Sequence, residues 1–211
     1  MTGITHHLSD DILSRYAAGR LPHPFAVVVA AHLALCDDCR ALVEAGDMLG
    51  GALVDGIGGT DLSPGAEARL MQALDAAPPP APEIRASGIF PAPVMQALDG
   101  HPPEWRMLGG GIRQQILSAD GEGSLRLLYI PPGRAVPEHG HRGLELTLVL
   151  QGSFSDSAGR FGTGDVETAT DDTDHQPVAG PGVACVCLAA TDAPLRFHAM
   201  IPRLLQPLFR I

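Results

Sequence analysis

His32, Cys36 and Cys39 place one imidazole and two thiols within eight residues. Such soft donors bind zinc when they share a side, and zinc normally takes four of them. On an ideal helix, offsets of four and seven residues fall at about 40° and −20°, so all three side chains point one way. A short break before Cys36 would also keep them convergent. His6 and His7, near the N-terminus, are both candidates for the fourth ligand, and spacing does not separate them. The expectation is a small helical unit folded around zinc.

A second donor set lies in Gly133-x5-His139-Gly140-His141-x3-Glu145-x6-Gly152. Positions 139, 141 and 145 share parity, so one strand face, or two neighbouring strands, can present all three side chains. Two imidazoles and a carboxylate are ordinary ligands of a divalent transition metal. His175 follows Phe161-Gly162-Thr163-Gly164-Asp165, a turn that would return a strand to the same site. His23, His101 and His198 have no partner at ligand spacing and are expected to be structural or exposed. Cys185 and Cys187 sit two apart in an apolar, strand-like run, on one side of a strand. They are expected to be buried core thiols.

The elements that position these donors follow from periodicity and punctuation. Ser9, with Asp10 and Asp11 behind it, caps a helix through Ile12, Leu13 and Tyr16 that Gly19 ends. Pro22 and Pro24 open a second helix running to His32. Its three consecutive valines are poor helix formers, so tertiary packing must favour helix there. A third helix is expected from about Asp37 to Leu53, interrupted by Gly56, Gly58 and Gly59. Ser63-Pro64 is expected to cap a fourth through Leu70, Met71 and Leu74. Four helices in so short a unit have a thin core, which a metal would reinforce.

Composition changes at Pro78-Pro79-Pro80-Ala81-Pro82, and prolines continue to 103. The stretch 78–103 reads as a semi-stiff linker, with room for a short helical turn over 94–98. This linker leaves open whether the flanking domains are independent or docked. Beyond Trp105, short apolar runs (114–117, 125–130, 144–150, 183–188, 195–201) alternate with glycine, proline and aspartate turns, the pattern of a sandwich or double-stranded β-barrel. The expected organisation is α + β in two domains: a helical domain over 1–77, the linker, and an all-β domain over 104–211.

Charge narrows the partners. The chain carries −10 overall, and all 14 of its cations are arginine. Residues 1–80 hold four arginines against ten acids. A nucleic-acid binder would need a basic face, so the balance argues against direct nucleic-acid binding; an acidic protein can instead meet a basic protein partner. No apolar run reaches the roughly 18–20 residues that span a bilayer, and the N-terminus lacks a signal-peptide layout. A soluble, cytoplasmic protein with no membrane partner is expected. In a reducing compartment, cysteine pairs are more often ligands or redox groups than disulfides.

The glycine–His-x-His–Glu–glycine spacing resembles the first motif of the cupin superfamily along its whole length. The second motif is degraded: His175 fits its histidine, but Thr170 and Asp172 replace the usual proline and glycine, and Val178 stands where an asparagine is common. Both halves together look like the ChrR family of zinc-binding cupin anti-sigma factors. The segments that carry this are Thr5-His6-His7-Leu8-Ser9-Asp10, the run from Ala31 to Arg40, that from Glu138 to Gly152, and Leu188-Ala189-Ala190-Thr191-Asp192-Ala193-Pro194-Leu195.

The resemblance implies that the helical domain binds an extracytoplasmic-function sigma factor. It also implies that the cupin, a double-stranded β-helix barrel, helps release that factor under singlet oxygen or related oxidants. Matched residue by residue, it implies a zinc site of His7, His32, Cys36 and Cys39, and a cupin site of His139, His141, Glu145 and His175 holding zinc or another divalent metal such as iron or manganese. Leu13, Tyr16, Val28, Leu42, Leu70 and Leu74 are candidates for sigma contact or for the domain's own core. The protein is expected to be a regulator. The competing class is a cupin metalloenzyme, a dioxygenase or isomerase, with an accessory structural zinc domain. A redox reading of Cys36-x-x-Cys39 lacks the βαβ setting of thioredoxin-like sites.

Overall fold

A computed structural model of the chain describes residues 3–76, 83–194 and 196–197. The first linker prolines (78–82), His198 and most of the strand expected over 195–201 lie outside the described residues. Among those described, five helices precede the strands: α1 (Asp10–Ala17), α2 (His23–Leu33), α3 (Asp37–Asp55), α4 (Ala66–Asp75) and α5 (Ala92–Ala97). Four were expected before the linker. The fifth lies inside it and is no loose turn, because Val94, Met95 and Leu98 are buried in the main core.

The helix ends follow their local chemistry. The Ser9 side chain accepts from the Ile12 N–H at the start of α1, and Gly19, at φ +64, ends it. Cys36 plays the capping role for α3, its Sγ accepting from the Cys39 N–H. The expected cap of α4 is displaced. Ser63-Pro64 forms a turn instead, with Ala66 N–H on the Ser63 carbonyl, and Gly65 at φ +74 becomes the N-cap. A left-handed residue at that point breaks the helix before it can reach back to Ser63.

Among the described residues, twelve strands follow. The large sheet has the order β1 (Arg106–Gly109), β2 (Ile112–Asp120), β3 (Gly123–Ile130), β11 (Cys185–Thr191), β5 (Glu145–Gln151), β8 (Val166–Ala169). Two small sheets complete the domain. One is β10 (Val178–Ala179), β6 (Ser153–Ser155), β7 (Arg160–Gly162); the other is β12 (Arg196–Phe197), β4 (His139–Gly140), β9 (Asp174–His175).

Period-two alternation sorts the large sheet's faces. Leu125, Leu127, Leu146, Leu148, Val186 and Leu188 turn to one side and share a single core with Leu8, Phe25, Val28 and Val29. Ile130, Val149, Cys185 and Cys187 turn to the other and pack with Phe154, Phe161 and Ala179. The helical unit is therefore docked on the sheet, through α2. This helix is apolar on every side, with seven of its eleven residues buried. Such a helix is stable only when covered all round, which explains three valines in helical conformation. Leu13 and Val28, candidates for partner contact, belong to this core. Tyr16 is half-buried, whereas Leu42, Leu70 and Leu74 are exposed.

A shared core predicts shared unfolding. Leu188→Ala, at a fully buried position facing α2, should destabilise the protein by about 2–5 kcal/mol. In urea, far-ultraviolet dichroism of the helices and fluorescence of the lone Trp105 should move together to the lower midpoint. Two separated transitions would show that helices and sheet fold independently.

Candidate metal centres

The first centre is assembled where α2 ends and α3 begins. The chain leaves the helix at Leu33 and re-enters at Asp37. The break keeps His32 and the two cysteines on one side, and Arg40 steadies it by donating to the Leu33 carbonyl at 3.0 Å. His32 is fully buried and its Nδ1 donates to the Gly164 carbonyl at 2.9 Å. That fixes the tautomer, so Nε2 offers a lone pair; it has no hydrogen-bond partner among the described residues.

His7 arrives from an extended N-terminal segment, its Nδ1 lying 3.3 Å from Cys36 Sγ and 3.5 Å from Cys39 Sγ. One ligand atom from each of His7, His32, Cys36 and Cys39 lies within 4.8 Å of the other three. His6 faces away, against the Phe161 ring and 3.4 Å from Asp165. The geometry thus brings together one of the two histidines that spacing left equal.

Burial lowers the His32 imidazole below its ordinary range. Burial likewise pushes the Cys39 thiol up to about 11, with Cys36 adding to the rise. Both thiols ionise together only where a cation takes up the charge. Two imidazoles and two thiols, with His32 and both cysteines buried and His7 exposed, can hold a metal ion.

The second centre lies on the far side of the large sheet. His139 and His175 are paired across β4 and β9, and His141 follows two residues after His139. Nε2 of His175 is 3.1 Å from that of His141 and 3.2 Å from that of His139. His139 Nδ1 donates to the Pro137 carbonyl at 2.8 Å. Three ring nitrogens turned toward one point, with the outer nitrogens of His139 and His175 used as donors, form a metal-binding array. Glu145 stands beside this group of three. Its Oε2 is 3.6 Å from His141 Nδ1, and Thr147 donates to its Oε1 at 3.0 Å.

Two residues of this centre carried no signal in the sequence. His175 Nδ1 donates to Asp156 Oδ2 at 2.7 Å and to Glu167 Oε1 at 3.1 Å. Burial raises Glu167 to about 7. Burial also acts to lower His175, but the Glu167 and Asp156 carboxylates outweigh it and raise the ring to about 9. Asp156 also serves its own turn, accepting from the N–H groups of Ala158 and Gly159. Glu167 lies in a short strand in which Val166 and Ala169 are buried as well and Thr168 is exposed.

Cys185 and Cys187 are fully buried, with sulfurs 3.4 Å apart. The Cys185 hydrogen bond and burial push the Cys187 thiol well above its ordinary value, as expected of inert core thiols. His23 and His101 are exposed.

The family model described as the ChrR cupin-like domain matches residues 95–194. The chain is 53% identical over 211 residues to anti-sigma-E factor ChrR of Cereibacter sphaeroides, covering 99% of each. Its fold is similar to ChrR in the crystal structure of Rhodobacter sphaeroides SigE in complex with the anti-sigma ChrR. The TM-score is 0.79 and the identity 49%, over 90% of this chain and all of that one.

Proposed function

This chain belongs to the ChrR family of anti-sigma factors, and we propose that it binds an extracytoplasmic-function sigma factor through its helical unit and withholds it from RNA polymerase. It is a regulator, not an enzyme. The observation that carries the binding reading is an apolar surface that none of the described residues covers. Leu42, Met48, Leu49, Leu53 and Val54 on α3, and Leu70, Met71 and Leu74 on α4, are all more than half exposed, and α4 buries none of its residues. Apolar patches of this extent mark protein interfaces. The acids interspersed among them suit a partner whose polymerase- and DNA-binding faces are basic.

Zinc is the metal that fits His7, His32, Cys36 and Cys39: two thiolates and two imidazoles match a closed tetrahedral shell. Held there, it ties the N-terminal segment to the α2–α3 junction and sets the direction in which α3 leaves the sheet. His139, His141 and His175, with Glu145 beside them, form the second site, for zinc or a harder divalent metal such as iron or manganese. The proposed organisation is a zinc domain over 1–77, a linker over 78–103 and a cupin domain of the double-stranded β-helix type over 104–211. This second domain promotes release of the sigma factor under singlet oxygen or related oxidants. Among the described residues no helix is long and apolar enough to cross a membrane, and a cytoplasmic location is part of the proposal.

The test is co-elution of the full chain with its cognate sigma factor under reducing conditions with zinc present. A stable complex is expected; separate elution would end the proposal. Asp156 gives a second test, of the cupin site. Asp156→Ala removes the carboxylate 2.7 Å from His175 Nδ1 and should weaken metal binding there by about 10–100-fold, read by chelator competition. Unchanged affinity would mean that His175 is not a ligand.

A further inference from the structure

The two metal centres lie on opposite faces of the large sheet, yet four consecutive residues touch both of them. Gly164 accepts from His32 Nδ1 through its carbonyl. Asp165 Oδ1 accepts from the N–H groups of Thr5 at 2.7 Å and His6 at 2.9 Å, and its Oδ2 accepts from the Gly162 N–H at 2.7 Å. The Val166 N–H donates to the His6 carbonyl at 3.1 Å. Glu167, the next residue, reaches the other way and accepts from His175 Nδ1. The fit is close: a side chain at Gly164, which sits at φ +93, would meet Ile4 within 2.6–2.7 Å.

We infer that Asp165 and Glu167 are positioning residues, one for each centre, and that their shared strand couples metal binding at the two. Asp165 is 4% exposed and Glu167 5%. Asp165 fixes the backbone immediately before His7, so it sets where that imidazole meets the two thiols. Glu167 fixes the ring of His175. β8 is an edge strand of the large sheet, paired to β5 on one side through Val166 and Leu148, and its outer edge receives the N-terminal segment. A shift of His175 moves Glu167 along the strand, and the strand carries Asp165 and the His6 carbonyl with it. Packed elements transmit such shifts because they do not deform freely. Coupling between two binding sites is reciprocal, so each centre's metal affinity depends on the state of the other.

This inference rests on both clusters being metal sites, and cobalt(II) separates the two questions. Thiolate-to-cobalt charge-transfer absorption arises only at the cluster that contains cysteines. Titrating the reduced full chain against a competing chelator therefore reads the affinity of that cluster alone. In the otherwise wild-type chain, His141→Ala, which disables the second centre, should weaken cobalt binding at the cysteines by about tenfold, within the usual ~5–150-fold range of coupling. In an Asp165→Ala background the same His141→Ala change should shift that affinity by less than about twofold.

Glu167→Met provides a second background with the same expectation. It replaces the buried acid by an apolar side chain of similar size while Asp156 remains to accept from His175 Nδ1, and it carries the test if Asp165→Ala fails to fold by far-ultraviolet dichroism. An equal effect of His141→Ala in all backgrounds, or none in the wild type, would overturn the coupling. Absence of the thiolate band in the wild type is a different failure: it removes the metal assignment of the first cluster, and the coupling with it.

Discussion

Cys36→Ser is expected to lose the metal of the first centre and, with it, sigma-factor binding. Serine is a good N-cap, so the start of α3, where Cys36 Sγ accepts the Cys39 N–H, keeps its local stabilisation. What disappears is a thiolate. Structural zinc with four ligands contributes about 10–16 kcal/mol, so one ligand's share is about 2.5–4 kcal/mol, or roughly 70–900-fold in metal affinity. The consequence reaches beyond the ligand, because His7 is exposed and its ring is placed by the two thiols, the edge of the His32 ring and the segment behind it.

Without the metal, the N-terminal segment keeps Leu8 in the core and its contacts with Asp165, Val166 and Phe161, but His7 no longer ties it to the α2–α3 junction, and α3 is free to reorient. Metal content and sigma pull-down should fall together in this variant. Cys187→Ala, on the opposite face of the sheet among Ile130, Val149 and Phe154, should leave both intact. A zinc-free Cys36→Ser protein that still binds its sigma factor with full affinity would show that the metal is not what shapes the binding surface.

The local geometry of both centres was legible because it depends on spacing. A 0, 4, 7 pattern converges on a helix, and it survives the break at Ala34–Cys36 because the cap brings the thiol back over the first turn of α3. Positions 139, 141 and 145 converge because strands alternate. What spacing cannot convey is which distant groups support the ligands. Asp156 and Asp165 occupy turns where aspartate is common for local reasons, and only the fold shows that one holds His175 and the other the segment before His7.

The docking of the helices was half visible. The valines of α2 required tertiary packing, but nothing local identified the sheet as what packs there. The cap of α4 was misplaced because Ser63-Pro64 is equally good as a turn, and Gly65 decides between the two. Leu13 and Val28 illustrate a general ambiguity: an apolar residue on an amphipathic helix fits core and interface alike until burial separates them.

Burial also identifies the substitutions that should damage binding and nothing else. Leu42, Leu49 and Leu53 project within about 40° of one another around α3, and they are 54%, 65% and 67% exposed. Leu49→Asp is expected to weaken sigma binding by about 2–4 kcal/mol, roughly 30–1000-fold, the range of a central anchor in an interface. Zinc content should be unchanged, and stability should stay within about 0.5 kcal/mol of the parent, since the side chain packs little in the free protein.

Raising the salt concentration separates the two forces at this surface. If apolar burial dominates, the complex should lose little affinity between low and physiological ionic strength, because hydrophobic contact is not screened. If the acids of α3 and α4 dominate, affinity should fall steeply, and Leu49→Asp should matter less because it adds a negative charge facing a basic partner. Isothermal titration of Leu49→Asp at two salt concentrations distinguishes the cases. Wild-type affinity at both would show that the exposed face of α3 is not where the sigma factor docks.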